Sequence, residues 1–243
     1  ATSFNVDISK WDVSSVSSMN QMFQDAKSFK QKLCWSELAH SKATKNLMFE
    51  GSHGSISQLV CKETSIFSPQ SEEELKSAVS ECLKLSPKKG DCSNGPYGPI
   101  GEWDESRIID MSDMFWGANF FNGGISMWDV SSVTNMHAMF REAKSFNGDI
   151  SKWDVSSVVN MNGMLSFTSF DSDISKWNVS SVTDISYMFT NNAFFNRDIS
   201  KWDVSTVVKM DRMFAFATSF KQKLCGAAWI RSKASKNGMF AGS

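Results

Sequence analysis

The chain has 243 residues with 25 basic and 26 acidic side chains, so its formal net charge is −1. This balance argues against a nucleic-acid-binding surface, which requires a basic patch, and the apolar runs are too short to span a membrane. Phenylalanine (19), methionine (14) and tryptophan (9) are abundant, whereas tyrosine (2) and proline (4) are scarce, which indicates many short, similar units.

One phrase opens the chain and returns four times. It reads FNVDISKWDVSSVSSM at Phe4, FNGGISMWDVSSVTNM at Phe121, FNGDISKWDVSSVVNM at Phe146, FDSDISKWNVSSVTDI at Phe170 and FNRDISKWDVSTVVKM at Phe195. From Phe121 to Phe220 this phenylalanine recurs every 24 or 25 residues. A unit this short cannot bury its own apolar face, so it must stack on copies of itself, which predicts a solenoid.

Each unit is predicted to contain two short strands and a helical turn. Residues 145–151 and 158–161 are the strands, with a turn at Ser156 and Ser157 between them. Residues 135–146 carry apolar side chains at the spacing of one helical face, namely Met136, Met139, Phe140 and Ala143. The predicted fold class is an α/β solenoid, a leucine-rich-repeat-like right-handed stack of ~25-residue coils with short parallel strands and short helical turns, capped at both ends.

The apolar side chains of the phrase are expected to fill the interior of the stack. In the copy at Phe146 these inward residues are Phe146, Ile150, Val155, Val158 and Met161. The methionine column is interpreted as core packing, since methionine adapts to small changes of register between coils.

A longer repeat lies over the short one. Residues 1–52 align without gaps with residues 192–243, and the segment SFKQKLC occurs near the end of both. We therefore expect residues 1–52 to be the C-terminal end of one array (two coils including a C-cap), residues 53–66 an inter-array linker and residues 67–243 a second complete array. Within that second array we expect an N-cap helix and loop at 67–96, repeats at 97–218 and a C-cap at 219–243.

The predicted N-cap helix lies in residues 68–85. Pro69 and Ser71 suit its start, acidic residues fill its first turn, and Pro87 and Gly90 end it. One helical face of this segment is apolar and consists of Leu75, Val79, Cys82 and Leu83.

Tryptophan recurs once per coil. The column consists of Trp11, Trp103, Trp128, Trp153, Trp177 and Trp202. We interpret it as a stacked, half-buried ladder whose indole N–H groups bond to loop carbonyls, because a tight coil corner needs a large side chain. The alternative is an exposed aromatic stripe that binds sugar.

Two acidic columns accompany the tryptophans. The first consists of Asp12, Asp104, Asp129, Asp154, Asn178 and Asp203, which we expect to fix the following turn by accepting backbone N–H groups. The second consists of Asp7, Asp149, Asp173 and Asp198, is broken by Gly124, and has lysines three residues later that offset its charge. No cofactor is expected, and calcium between these carboxylates is the alternative. Asn178 also starts the sequon Asn-Val-Ser, so it is a candidate N-glycosylation site unless its turn uses the side chain.

No catalytic constellation is recognisable. The sequence lacks a Gly-rich phosphate loop and a nucleophile elbow, and no cysteine has the spacing of a zinc site. The three histidines, His40, His53 and His137, occupy unrelated repeat positions, so we assign no acid or nucleophile partner to any of them. We therefore expect no catalytic residue, no metal site and no enzyme activity.

The pattern Phe-Asn-x-Asp-Ile-Ser-x-Trp-Asp-Val-Ser-x-Val-x-x-Met-x-x-Met-Phe resembles the BspA-type leucine-rich-repeat surface proteins, a family first catalogued as a Mycoplasma domain of unknown function. The resemblance covers nearly all of residues 1–52 and 67–243. It implies an extracellular or cell-surface location, with adhesion or attachment as the expected activity, and it implies no particular ligand. Cap coils of such proteins contain Leu-Cys-x-Trp, which Leu33, Cys34 and Trp35 nearly match and which the segment at Cys225 does not.

Five cysteines are present, an odd number. We predict a disulfide between Cys34 and Cys61, and a second between Cys82 and Cys92 that closes the N-cap helix onto its loop. Cys225 is equivalent to Cys34, so it is expected to be unpaired in this chain, with a partner in a longer tandem protein. Oxidised cysteines favour an extracellular location.

These observations favour a non-enzymatic secreted repeat protein that is a structural building block of an extracellular coat, filament or appendage made of tandem arrays. The alternative is a cell-surface adhesin or a carbohydrate- or protein-binding module. The expected partners are copies of the chain itself or further arrays of a longer chain, with glycans or surface proteins as the alternative. Neither a nucleic acid nor a membrane span is expected.

Overall fold

The computed structural model describes residues 4–5, 8, 11, 13, 15–33, 43–56, 66–87, 90–93 and 95–243. The chain divides into two compact units, unit 1 (Ala1–Ser65) and unit 2 (Ile66–Ser243). The division falls at the end of the predicted linker.

Unit 1 is held together by a small apolar core and one short strand pair. Strand β1 (Lys32–Leu33) pairs in parallel with strand β2 (Ser55–Ile56). The rings of Phe23 and Phe29 stack with their centroids 4.2 Å apart. Four backbone N–H groups of one coil, at alternate residues from Met19 to Asp25, donate to carbonyls of the next coil, those of Thr44, Asn46, Met48 and Glu50.

Unit 2 begins with helix α1 (Glu72–Leu85). The Ser71 side chain caps this helix by accepting the N–H of Glu74, and three glutamates in the first turn face the positive end of the helix dipole. Its buried side chains are Leu75, Ala78, Val79 and Cys82. Cys82 forms a disulfide with Cys92, the pair that was predicted, so the loop after α1 is tied to the buried face of the helix.

The predicted α/β solenoid is wrong. From residue 103 to residue 226 the backbone consists of turns, irregular segments and isolated bridges, without an extended strand or an α-helix. The segments predicted as strands (145–151 and 158–161) and as a helix (135–146) belong to this turn-rich backbone. Unit 2 otherwise contains a 3₁₀ turn (Ile100–Glu102) and helix α2 (Ala227–Arg231). Successive coils meet through single parallel bridges that join Asp110, Asn135, Asn160, Asp184, Lys209 and Ser235 in turn.

The helical turn does not form because its backbone N–H groups bond to the next coil instead. Four alternate residues from Met136 to Glu142 donate to carbonyls of the following coil at 2.8–3.0 Å, those of Asn160, Asn162, Met164 and Ser166. An α-helix would use the same groups within the segment. Two residues of the segment, Ala138 (φ 49°) and Glu142 (φ 62°), are left-handed. Each such residue costs about 1–2 kcal/mol, which the hydrogen bonds between coils offset.

Columns of stacked side chains fill the core of unit 2. The rings of Phe121, Phe146, Phe170, Phe195 and Phe220 follow one another at centroid distances of 6.0–6.3 Å. A second phenylalanine packs closely beside several of them, as Phe140 does beside Phe146 at 3.8 Å. The predicted inward residues Phe146, Ile150, Val155, Val158 and Met161 are all buried, so this part of the prediction is confirmed.

Replacing Gly163 with alanine is expected to lower the free energy of unfolding by about 1 kcal/mol. Gly163 has φ +65° at the position where Ala138 is left-handed, and an added Cβ would meet only the Ser166 Oγ at 3.7 Å. The cost therefore comes from backbone conformation alone. The control is Gly124→Ala, whose Cβ would lie in open space at a residue that is not left-handed. Urea unfolding should separate the two variants, and equal destabilisation would contradict this account.

Candidate functional site

The tryptophan column lies inside the stack. The side chains of Trp103, Trp128, Trp153, Trp177 and Trp202 are only 2–5% exposed. The last four donate their indole N–H to an isoleucine carbonyl of the preceding coil at 2.8–3.1 Å, and Trp103 donates to the carbonyls of Tyr97 and Gly98. These rings are buried more deeply than the half-buried ladder we expected, and they present no face to a sugar. Trp11 in unit 1 is 49% exposed.

The first acidic column fixes the turn that follows each tryptophan. The Oδ1 atoms of Asp104, Asp129, Asp154, Asn178 and Asp203 each accept the backbone N–H of the serine two residues later at 3.0–3.3 Å. Hydrogen bonds from the Ser156 hydroxyl and N–H lower the pKa of Asp154. Asn178 forms the same turn without a charge, and Asp12 lies outside the described residues.

The second acidic column uses the same geometry. Asp149, Asp173 and Asp198 accept the N–H groups of Ser151, Ser175 and Ser200 at 2.9–3.0 Å. Hydrogen bonds from both the hydroxyl and the N–H of these serines lower the pKa of each carboxyl. Asp7 lies outside the described residues. Among the residues that the structure describes, no three His, Cys, Asp or Glu side chains gather as a metal site, and each of these three carboxylates commits one oxygen to its own turn.

A third polar column, which the sequence analysis missed, connects the coils directly. The Oδ1 atom of Asn122 accepts the N–H of Asn147, and the contact repeats from Asn147 to Asp171, from Asp171 to Asn196 and from Asn196 to Lys221, at 2.8–3.0 Å. The signal was present in the sequence, because Asn or Asp follows the phenylalanine in every copy of the phrase.

Two tryptophans outside the predicted column were also missed. Trp229 in α2 is buried and donates its indole N–H to the Ile199 carbonyl at 3.2 Å, so it continues the column into the predicted C-cap. It stands 27 residues after Trp202, which hid it from a search at a period of 24 or 25. Trp116 is different, because it is 49% exposed and the Arg141 guanidinium lies over its ring, 5.1 Å from the centroid.

A buried carboxyl occupies the first position of the valine column of unit 2. Coils after the first have Val130, Val155, Val179 and Val204 at this position, where the first coil has Glu105. Glu105 is 1% exposed and its Oε1 accepts the Asp129 N–H at 2.5 Å, whereas its Oε2 has no hydrogen-bond partner among the described residues. Burial raises the pKa of this carboxyl to about 8, and the charges of Asp104 and Asp129 act in the same direction.

The remaining predicted residues are spread over the two units. Cys225 is an exposed free thiol, and Cys34 and Cys61 lie outside the described residues. Asn178 is exposed, and its Oδ1 also accepts the Ser180 hydroxyl at 2.7 Å. The rings of His53 and His137 belong to different units, and His40 lies outside the described residues.

A groove runs between α1 and the first coil of unit 2, and we call it the α1 groove. One lobe has a volume of about 450 Å³ and is lined by Lys76, Ser80, Lys84 and Asp113, among others. The other has a volume of about 290 Å³, and its lining includes Pro87, Asn119 and Phe120. Leu83 and Trp116 line both lobes.

A family model described as Mycoplasma protein of unknown function, DUF285, matches residues 1–60, 89–169 and 166–243, which together make up most of the chain. No curated protein and no solved structure matches the chain. Within the described part of the chain, every helix is too short or too polar to cross a membrane.

Proposed function

The chain belongs to the DUF285 family, whose function is unknown. We propose that it is a non-enzymatic structural building block of an extracellular assembly. Tandem arrays of stacked coils would form the body of a coat, filament or appendage. Copies of the chain, or further arrays of a longer chain, would be its partners.

The observation that carries the proposal is the use made of the repeated polar groups. The indole N–H groups, the turn carboxylates and the third polar column all form hydrogen bonds within or between coils, as in the series from Trp128 to Trp202 and from Asn122 to Lys221. Groups engaged in this way stabilise the stack and are not free to bind a substrate. The polar groups that recur in each coil are therefore used to hold the stack together, which supports a mechanical role.

The disulfide between Cys82 and Cys92 supports the location. Disulfides persist in oxidising compartments and are rare in the cytosol, where thiols are kept reduced. This bond ties α1 to the loop before the first coil, so it reinforces one end of the array.

Immunogold electron microscopy tests the proposal. An antibody against the purified chain is expected to label a fibre, coat or appendage outside the producing cell, and antibody absorbed with the chain should give no label. Material released by gentle washing should sediment as polymers larger than a single chain. Diffuse intracellular label, or released material that is entirely monomeric, would overturn the proposal. Surface label with monomeric released material would instead favour the adhesin.

A further inference from the structure

Trp116 in the α1 groove is an exposed aromatic side chain that the repeat does not require. The equivalent residues of the following coils are polar or small, namely Arg141, Ser166, Thr190, Ala215 and Ala241. Half of the Trp116 side chain is exposed, whereas the tryptophans of the column in unit 2 are buried. The Arg141 guanidinium, over the ring at 5.1 Å, helps to fix its orientation. Trp116 lies beside the exposed Phe120 and the partly buried Leu83, and together they form an apolar patch on the wall of the groove, which is the kind of surface that marks an interaction site.

The two lobes of the α1 groove offer different chemistry beside the indole. In the larger lobe, Lys76 and Lys84 line the wall together with the carboxylate of Asp113. Lys76 also interacts with the carboxylates of Asp110 and Glu73 outside the lining, so Lys84 supplies most of the positive charge of this lobe. The smaller lobe is largely apolar, with Phe120 strongly exposed and Asn119 supplying an amide. A matching ligand therefore has an apolar face for the indole and a negative charge within reach of the lysines.

We propose that the α1 groove binds an acidic saccharide of the hexuronic acid class. The C–H face of one pyranose ring stacks on the face of Trp116 that the Arg141 guanidinium does not cover, since aromatic side chains supply contact area at low entropic cost. The carboxylate of the ring lies toward Lys76 and Lys84, and its hydroxyls have both donors and acceptors in Ser80, Asp113 and Asn119. The site is independent of the structural role proposed above and would attach an assembly to an acidic polysaccharide.

Calorimetric titration of the full chain with a hexuronic acid tetrasaccharide tests the site. Binding is expected, and it should weaken as the salt concentration rises from about 0.02 M to about 0.2 M, because exposed charges are then screened over a shorter distance. The neutral hexose tetrasaccharide should bind at least about fivefold more weakly, which corresponds to about 1 kcal/mol. Tetraglutamate carries the charge without a pyranose face and should not bind.

Matched variants locate the site. Trp116→Ala should weaken binding at least about tenfold, whereas Phe216→Ala, which removes an equally exposed aromatic ring outside the groove, should leave it unchanged. Lys84→Gln should weaken binding about fivefold, and Lys152→Gln on the repeat surface should not. Thermal unfolding of each variant checks that the array is intact.

The outcomes are decisive in both directions. The absence of saccharide binding by the folded chain would overturn the proposal. So would equal binding of the neutral and acidic tetrasaccharides, preferred binding of tetraglutamate, or binding that survives Trp116→Ala. Selective binding that is lost only in the groove variants would establish the site.

Discussion

Replacing Glu105 with valine is expected to raise the free energy of unfolding at pH 8 by about 2–4 kcal/mol. Valine is the residue of the following coils at this position, and it fills the column without a buried polar atom. In the wild type the Glu105 Oε2 is buried without a hydrogen-bond partner among the described residues, a cost that the variant removes. Chemical unfolding of both proteins at pH 5 and pH 8 measures the effect.

The pH dependence follows from the sign of the Glu105 shift. Burial raises the pKa of the folded carboxyl to about 8 from an ordinary value of 4.5. Below pH 4.5 the carboxyl is protonated in both the folded and the unfolded state, so it adds no cost of ionisation to folding. As the pH rises from 4.5 to about 8, the unfolded chain releases the proton while the folded chain keeps it, so stability falls. The carboxyls of Asp149, Asp173 and Asp198 have lowered pKa values, so their contribution is lost only at more acidic pH.

Glu105→Gln separates the cost of ionising the buried carboxyl from the cost of burying a polar side chain. Glutamine keeps an oxygen that can accept the Asp129 N–H, but it does not titrate. The stability of this variant should therefore no longer show the Glu105 contribution to the pH dependence. Its free energy of unfolding at pH 8 should rise by less than that of Glu105→Val, because glutamine remains polar. If the wild type and Glu105→Gln showed the same change in stability between pH 5 and pH 8, the raised pKa of Glu105 would be disproved.

The period of the sequence predicted the burial pattern well and the secondary structure poorly. A column is defined by its spacing alone, so Phe146, Ile150 and Met161 could be assigned to the interior without knowing the backbone between them. The spacing of Met136, Met139, Phe140 and Ala143 suits one face of a helix, but it suits a pair of consecutive turns equally well. The two conformations differ in where the N–H groups donate, and that is decided by the neighbouring coil.

The left-handed residues of the fold could not be recognised from the types of their side chains. Glycine marks this conformation at Gly117 and Gly163, but Ala138, Glu142 and Phe167 adopt it without any sequence signal. Contacts with the next coil impose it against the intrinsic preference of these residues. Local propensity therefore could not reveal it.

The candidate site shows a different limit of sequence reasoning. Trp116 departs from the repeat pattern, so a prediction based on the period does not single it out. The groove around it also depends on where α1 packs, which brings Lys76 and Lys84 beside the first coil. A residue that departs from the repeat is the first candidate for a site specific to one coil. Glu105 and Asn192 also depart from the repeat.

Asn192→Ala is expected to lower the free energy of unfolding by about 3 kcal/mol. The Asn192 side chain is fully buried and its Nδ2 donates to the Phe170 carbonyl at 2.9 Å and to the Thr168 Oγ1 at 3.2 Å. Its Oδ1 accepts the N–H groups of Phe194 and Phe195 at 3.0 and 3.1 Å. Alanine would remove all four hydrogen bonds, and the buried Phe170 carbonyl and Phe195 N–H would lose these partners, whereas Thr168 Oγ1 would keep its bond to the Leu165 carbonyl.

The repeat alone would suggest the opposite result, because alanine is the natural residue at the equivalent positions Ala118, Ala143 and Ala217. In those coils the alanine carbonyl accepts the N–H of the column phenylalanine three residues later. Asn192 lies in a coil of full length, but its side chain bonds to Thr168 and Phe170 of the preceding coil, whose step from Phe146 to Phe170 is one residue shorter. Alanine cannot make this bridge to the shortened coil. The control is Asn191→Gly, which removes a neighbouring exposed amide at a left-handed residue and should change stability by less than about 1 kcal/mol. Urea unfolding that found both variants equally stable would show that the bridge is dispensable.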